Sequence, residues 1–432
     1  MKNVCKILVS MTAVSVMLAS GCSVSGNRGE AASEASSQED VNVATVEKDT
    51  GGNGGEIIEV EIWEYFEDLE HEYFTEMMNQ WGEENGYRFK IVQYPYSDLN
   101  KQYTLGMVSG ELPDLTMINN CDTASYVEMG MLQDITASVD AWGEAGNFYE
   151  AALNTTTIDG KYYGLPYNSN CLVLYYDEDM LKEAGIEVPK TWEDLTEAAL
   201  ALTKDTTYGF AMSLVNNDEG TFQYFPFLYS SGADMYKMGS PEAISSVQLL
   251  KDMMDAGSMS SEVINWSQAD VCQQFIQGNA AMMINGPWQI PLLKESVPDK
   301  KWNCAPIPMD QVLASALGGE GFSVVKGADL EKIWPVMEFM MSRETLAEWN
   351  HTVGKIPSRK DSLDIYPDWK DDPIMNVFFE QLNYAAVLGP DVSWPEISAA
   401  IYTGLQEAMT GQKTVEEACQ GAQEKIDKLV EE

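Results

Sequence analysis

From residue 57 the apolar residues switch period repeatedly within about sixty positions, and this pattern restricts the fold more than any other feature. Ile58, Val60 and Ile62 alternate with Glu59 and Glu61, the period of a strand buried on one face. Leu69, Tyr73, Met77 and Trp81 then recur every four residues, with Gly82 and Gly86 bracketing the end, which predicts a helix. Phe89 and Ile91 predict a second strand, and Leu99, Tyr103 and Met107 a second helix closing near Gly110. Residues 115–118 predict a third strand, entered through Pro113-Asp114. Strand, helix, strand, helix, strand is the signature of an α/β domain with a largely parallel sheet. Ligands of such sheets sit beyond the carboxyl ends of the strands. The loops Trp63-Glu64-Tyr65 and Asn119-Asn120-Cys121-Asp122 are therefore candidate binding segments.

Later helices announce themselves by their caps. Asp177 is placed to cap a helix through Met180 and Leu181 that stops at Gly185. Thr191 with Asp194, and Thr414 with Glu417, have capping-box spacing. Residues 330–341 are amphipathic. At 432 residues the chain is long enough for two domains.

The formal charge is −42, from 26 basic and 68 acidic residues. Nucleic-acid binding needs a basic stripe, and this surface repels a polyanion. Seven cysteines are scattered, with no CxxC pair, and there are only two histidines, His71 and His351. Neither a disulfide framework nor a zinc site is expected. No phosphate loop, GxSxG elbow or GxGxxG turn is present. Acidic pairs are uninformative among 68 acids, so a glycosidase is disfavoured only by the missing signatures. What remains is aromatic: 11 Trp, 20 Tyr and 13 Phe. Aromatic faces stack on the C–H faces of sugar rings, while Asn, Asp and Glu bond the hydroxyls.

At the N-terminus, Lys2 and Lys6 precede an apolar run at 7–18, and Leu18-Ala19-Ser20-Gly21 sets small residues before Cys22. This is a secretory-signal layout, and the cysteine makes it resemble a bacterial lipoprotein signal. The resemblance implies cleavage after residue 21 and lipidation of Cys22. Ala19 stands where that pattern usually has Leu. Residues 23–55 contain no aromatic and end in Gly51-Gly52-Asn53-Gly54-Gly55. Residues 22–55 are thus expected to be a lipidated cysteine and flexible linker, the linker spanning on the order of 30 Å as a coil.

The segment ending Asn285-Gly286-Pro287-Trp288 resembles part of the extracellular solute-binding proteins of the maltose-binding type (family 1), the receptors of sugar ABC importers. Further matches follow the family order. They are Gly110-Glu111-Leu112-Pro113-Asp114-Leu115, Lys161-Tyr162-Tyr163-Gly164-Leu165-Pro166, Pro189-Lys190-Thr191-Trp192, Gly354-Lys355-Ile356-Pro357-Ser358-Arg359 and Thr414-Val415-Glu416-Glu417-Ala418.

The resemblance implies a two-lobed, periplasmic-binding-protein-like α/β fold of type II, with a central ligand cleft and hinge crossovers. The lobes are expected at 57–170 plus 321–360 and at 171–320 plus 361–432. By position it points to Trp63, Glu64 and Tyr65; to Asn119, Asn120 and Asp122; and to Tyr167, Asn168 and Asn170. It also points to Phe222, Tyr224 and Trp288 as aromatic contacts, and Trp394, a further candidate, lies near but not on another stacking position. Gly319 and Glu320, in the glycine-rich run Gly318-Gly319-Glu320-Gly321, complete the candidate ligand-binding set. The implied function is an extracellular, lipid-anchored, monomeric receptor that delivers a carbohydrate to membrane permease subunits, without a cofactor, metal or catalytic residue. A peptide or cationic ligand, a secreted glycoside-active enzyme and a surface adhesin are the alternatives.

Overall fold

The computed structural model describes residues 57–389 and 391–430. The signal segment, Cys22 and the linker to residue 55 lie outside the described residues. Strand β1 (Ile58–Glu64), helix α1 (Asp68–Asn85), strand β2 (Tyr87–Gln93), helix α2 (Tyr96–Ser109) and strand β3 (Leu115–Asn119) follow in the expected order. β1 lies between β2 and β3 and is parallel to both. Val60 and Ile62 are buried on the core face, as their alternation requires.

The Glu67 carboxylate and the Glu70 backbone N–H, with the reverse pair, form a capping box at the start of α1, and Gly86 ends the helix in the left-handed region. The face that reaches the core is centred on Phe74 and Met78. Tyr73, Met77 and Trp81 flank it, and Leu69 is 54% exposed. The apolar stripe is therefore rotated one residue from that predicted. The other helix starts match their signals. Asp177 accepts from the Met180 N–H, Thr191 and Asp194 cap reciprocally, and so do Thr414 and Glu417.

The first sheet is less parallel than the sequence pattern implies. Strand Glu320–Val324 pairs antiparallel with β3, and Leu165–Pro166 pairs antiparallel with that strand in turn. A strand joined to its neighbour through a helix on one face must run parallel to it. Glu320–Val324 follows Ser315–Leu317, a strand of a separate two-stranded sheet, so nothing forces that direction.

That second sheet is antiparallel, with Val173–Asp177 between Met282–Asn285 and Trp302–Ala305. Val173, Leu174, Tyr175, Met282, Met283 and Ile284 are all buried. Burial on both faces explains why these strands read as continuous apolar runs. Each sheet has its own core. Val60, Phe74, Met117, Phe322, Met337 and Trp349 pack around the first; Leu195, Phe225, Leu250, Ile284, Ile401 and Ile426 pack around the second. The fold is thus α/β and two-lobed.

The chain passes between the sheets in segments that pair with one another. Asn168–Ser169 pairs with Ile356–Pro357, and Asn170 bridges Gly318. Gly319 adopts φ 141°, and a Cβ there would lie 2.5 Å from the Asn168 carbonyl oxygen. Only glycine permits both that dihedral and that approach. Among the described residues no helix is long and apolar enough to cross a membrane, and no group of three or more His, Cys, Asp or Glu is placed to hold a metal.

Candidate functional site

A cavity of about 250 Å³ opens where these crossovers meet the carboxyl ends of β1 and β3. From the first sheet's side, Tyr65 and Glu67 reach it after β1, Asn119 and Cys121 after β3, Tyr96 from α2, and Glu70 from α1. The crossovers supply Asn170, Gly318, Gly319, Glu320 and Lys355. The other wall is built from helix N-termini. Asp218, Glu219 and Phe222 come from helix Asp218–Ser230, and Ser267, Gln268 and Ala269 from the start of Gln268–Ile276. Trp288 and Trp394 close that side.

The Asn285-Gly286-Pro287-Trp288 motif has a physical reason for each of its polar and small positions. Asn285 is fully buried at the end of its strand. Its Nδ2 donates to the Gln268 carbonyl at 2.9 Å, and its Oδ1 accepts from the Gly286 N–H at 3.0 Å. The side chain thereby fixes the turn that presents Ser267 and Gln268. At Gly286 a Cβ would lie 1.9 Å from Cζ3 of Trp288. The indole folds back over the glycine, and this seats it on the cavity wall.

Two of the aromatic groups are held edge to face. Tyr65 and Tyr96 have ring centroids 5.1 Å apart in a T-shaped pair, and Asn119 Nδ2 donates to the Tyr96 hydroxyl at 2.9 Å. Such a pair fixes both rings without a main-chain contact.

Among the described residues, Lys355 is the one cation on the wall. It is 5% exposed, with Nζ 3.0 Å from Glu70 Oε1 and 3.6 Å from Glu320 Oε2. Asn168 Nδ2 also donates to Glu320. Burial pulls the Lys355 pKa down, but the carboxylates of Glu320 and Glu70 outweigh it, and the net shift is upward. Burial pushes the Glu70 carboxyl up to about 7, against the opposing pull of Lys355. Burial likewise raises Asp218, partly offset by the Ser398 hydroxyl, which donates to it at 2.5 Å. Glu219 is raised by burial and accepts from the Gln268 N–H at 2.9 Å.

Residues 76–377 match the family model of bacterial extracellular solute-binding proteins. The chain belongs to that family. The maltodextrin-binding protein MdxE of Bacillus subtilis is 23% identical over 407 residues, which cover 88% of this chain and 91% of that protein. The solved structure of an ABC transporter solute-binding protein from Thermotoga lettingae, bound with alpha-D-tagatose, superimposes with a TM-score of 0.81 at 25% identity. It covers 86% of this chain and 100% of its own. Maltose-bound MalE3 of T. maritima gives a TM-score of 0.80 at 22% identity, again covering 86% of this chain and 100% of its own.

In this solute-binding protein, Tyr65, Asn119, Asn170, Phe222, Trp288, Gly319, Glu320 and Trp394 line the cavity. The structure places the other sequence candidates behind it. Trp63 packs against Tyr94 and Tyr103, because it faces away from the core side that carries Ile62. Glu64 is fully buried, 2.6 Å from His71 Nδ1, and accepts from the Phe66 N–H. Tyr167 sits among Phe66, Phe322 and Trp349. The Tyr224 hydroxyl meets Ser246 Oγ at 2.7 Å in the second core. Asn120 and Asp122 are buried in the turn that follows β3, and Asn168 donates to Glu320. Sequence reasoning missed Glu67, Glu70, Tyr96, Asp218, Glu219, Gln268 and Lys355. For Lys355 a signal existed, since it lies within the Gly354-Lys355-Ile356-Pro357-Ser358-Arg359 match.

Proposed function

We propose that the chain is the lipid-anchored substrate-binding component of an ABC importer, capturing a carbohydrate, an oligosaccharide in particular, and passing it unchanged to the permease. One observation carries the reading. The aromatic rings of Tyr65, Tyr96, Phe222, Trp288 and Trp394 share a single cavity with carboxylate and amide groups. Rings cover the apolar faces of a sugar, and the polar groups meet its hydroxyls. The paired crossovers supply the hinge: lobes at 57–170 plus 321–360 and at 171–320 plus 361–432 close on the ligand as rigid bodies. Cys22 tethers the monomeric receptor at the outer face of the cytoplasmic membrane, and residues 23–55 give it reach.

The test is a thermal-shift panel of mono- and oligosaccharides, with the products followed by mass spectrometry. A bound ligand at a hundred times its Kd stabilises the native state by about 2.7 kcal/mol. The expected result is a raised melting temperature for at least one saccharide, recovered intact. A panel with no shift rejects the carbohydrate reading, and cleaved products reject the receptor reading.

A further inference from the structure

Resting on the carbohydrate reading, we infer that the ligand is a basic amino sugar, one that carries a free, protonated amine rather than only hydroxyl or N-acetyl groups. Among the described residues, the cavity wall holds the carboxyl groups of Glu67, Glu70, Asp218, Glu219 and Glu320 against the single ammonium of Lys355. That ammonium is already committed, lying 3.0 Å from Glu70 and 3.6 Å from Glu320. On the opposite wall, Asp218 and Glu219 accept, among the described residues, from neutral groups, the Ser398 hydroxyl and the Gln268 N–H. An ionised carboxylate removed from water is costly until an opposite charge approaches it.

A second observation points the same way. Asn170 is 4% exposed and lines the cavity, yet its Oδ1 has no hydrogen-bond partner. Gln268, beside Glu219, also leaves its buried Oε1 unpaired. These are acceptors awaiting a donor. A protonated amine brings three N–H donors and the missing positive charge together. Trp288 and Phe222 line the same cavity, and a ring face turned to the ligand would favour a cation. An N-acetyl group offers one neutral N–H, and a uronate or sugar phosphate adds charge of the wrong sign.

The experiment is isothermal titration calorimetry of the full chain with matched sugars. The probes are glucosamine, galactosamine and mannosamine, and β-1,4-linked glucosamine oligomers of two to four units. Each is compared with its hydroxyl and its N-acetylated counterpart. At pH 7 the amine member of at least one set is expected to bind tenfold or more tightly than both counterparts. That advantage should collapse at pH 9.5, beyond an ordinary amine pKa of about 8, and shrink in Glu219→Gln. The wild-type comparison alone decides the matter if that variant fails to fold. Equal or tighter binding of a hydroxyl or N-acetyl member overturns the amine inference and leaves the carbohydrate reading standing. Absence of binding by every amine member, with a shift for some other saccharide in the thermal panel, overturns the amine inference alone; a blank thermal panel overturns both.

Discussion

Replacing Lys355 by methionine removes the one positive charge that the described residues place on the cavity wall, while keeping most of the side chain's length. Glu70 and Glu320 then face each other with no counter-charge, Glu70 being 6% exposed. Breaking a buried ion pair on one side costs about 3–5 kcal/mol, and this is the loss expected for K355M near pH 8. The loss must depend on pH. In the wild type, folding raises the Glu70 pKa from 4.5 to about 7. A carboxyl raised on folding binds its proton more tightly in the native state. Its effect is neutral below the unfolded value, and stability declines as pH climbs from 4.5 to about 7, by roughly 3 kcal/mol in all. Without Lys355 the carboxyl rises further, so the decline extends to higher pH. Urea denaturation followed by tryptophan fluorescence at pH 5 and pH 8 measures both quantities. The variant's deficit is expected to be several-fold smaller at pH 5, where Glu70 holds its proton. A deficit under about 1 kcal/mol at pH 8, or one equal at both pH values, refutes this account of the Lys355 cluster.

Other perturbations separate site from scaffold. Trp288→Ala removes a cavity ring and should weaken saccharide binding by about 0.5–1.5 kcal/mol, roughly two- to twelvefold, in a fluorescence titration. Gly286→Ala sets a methyl 1.9 Å from that indole; it should reproduce the affinity loss and lower stability by about 1–3 kcal/mol on urea denaturation. Asn285→Ala deletes the bonds to Gln268 and Gly286 and should cost about 1–3 kcal/mol in the same assay. Thr191→Ala removes one helix cap, with an expected loss of about 1 kcal/mol and unchanged saccharide affinity.

How far the sequence could be read depended on which faces are buried. β1 is buried mainly on one face, and its alternating glutamates showed it. Val173–Asp177 and Met282–Asn285 are buried on both faces, leaving apolar runs with no period to read. The α1 stripe was legible to within one residue, because Leu69 and Phe74 lie on adjoining faces of one helix. In the site, the loop after β1 was correctly placed, yet only Tyr65 of its three candidates reaches the cavity. Successive strand residues point oppositely, and Trp63 turns into the cluster with Tyr103. Asp218 and Glu219 had no distinguishing mark among 68 acids. Their place in the cavity comes from a long-range fold that brings helix Asp218–Ser230 opposite α2. The Trp288 motif was readable because glycine, proline and tryptophan in succession restrict the backbone and side chain together.

The most direct test of the central claim is calorimetric titration of the full chain, and of Trp288→Ala, with the saccharide that gives the largest thermal shift. A single site per chain, with about two- to twelvefold weaker binding in the variant, is the predicted result. Wild-type affinity in the variant, or more than one equivalent site per chain, contradicts capture in the cavity between the lobes.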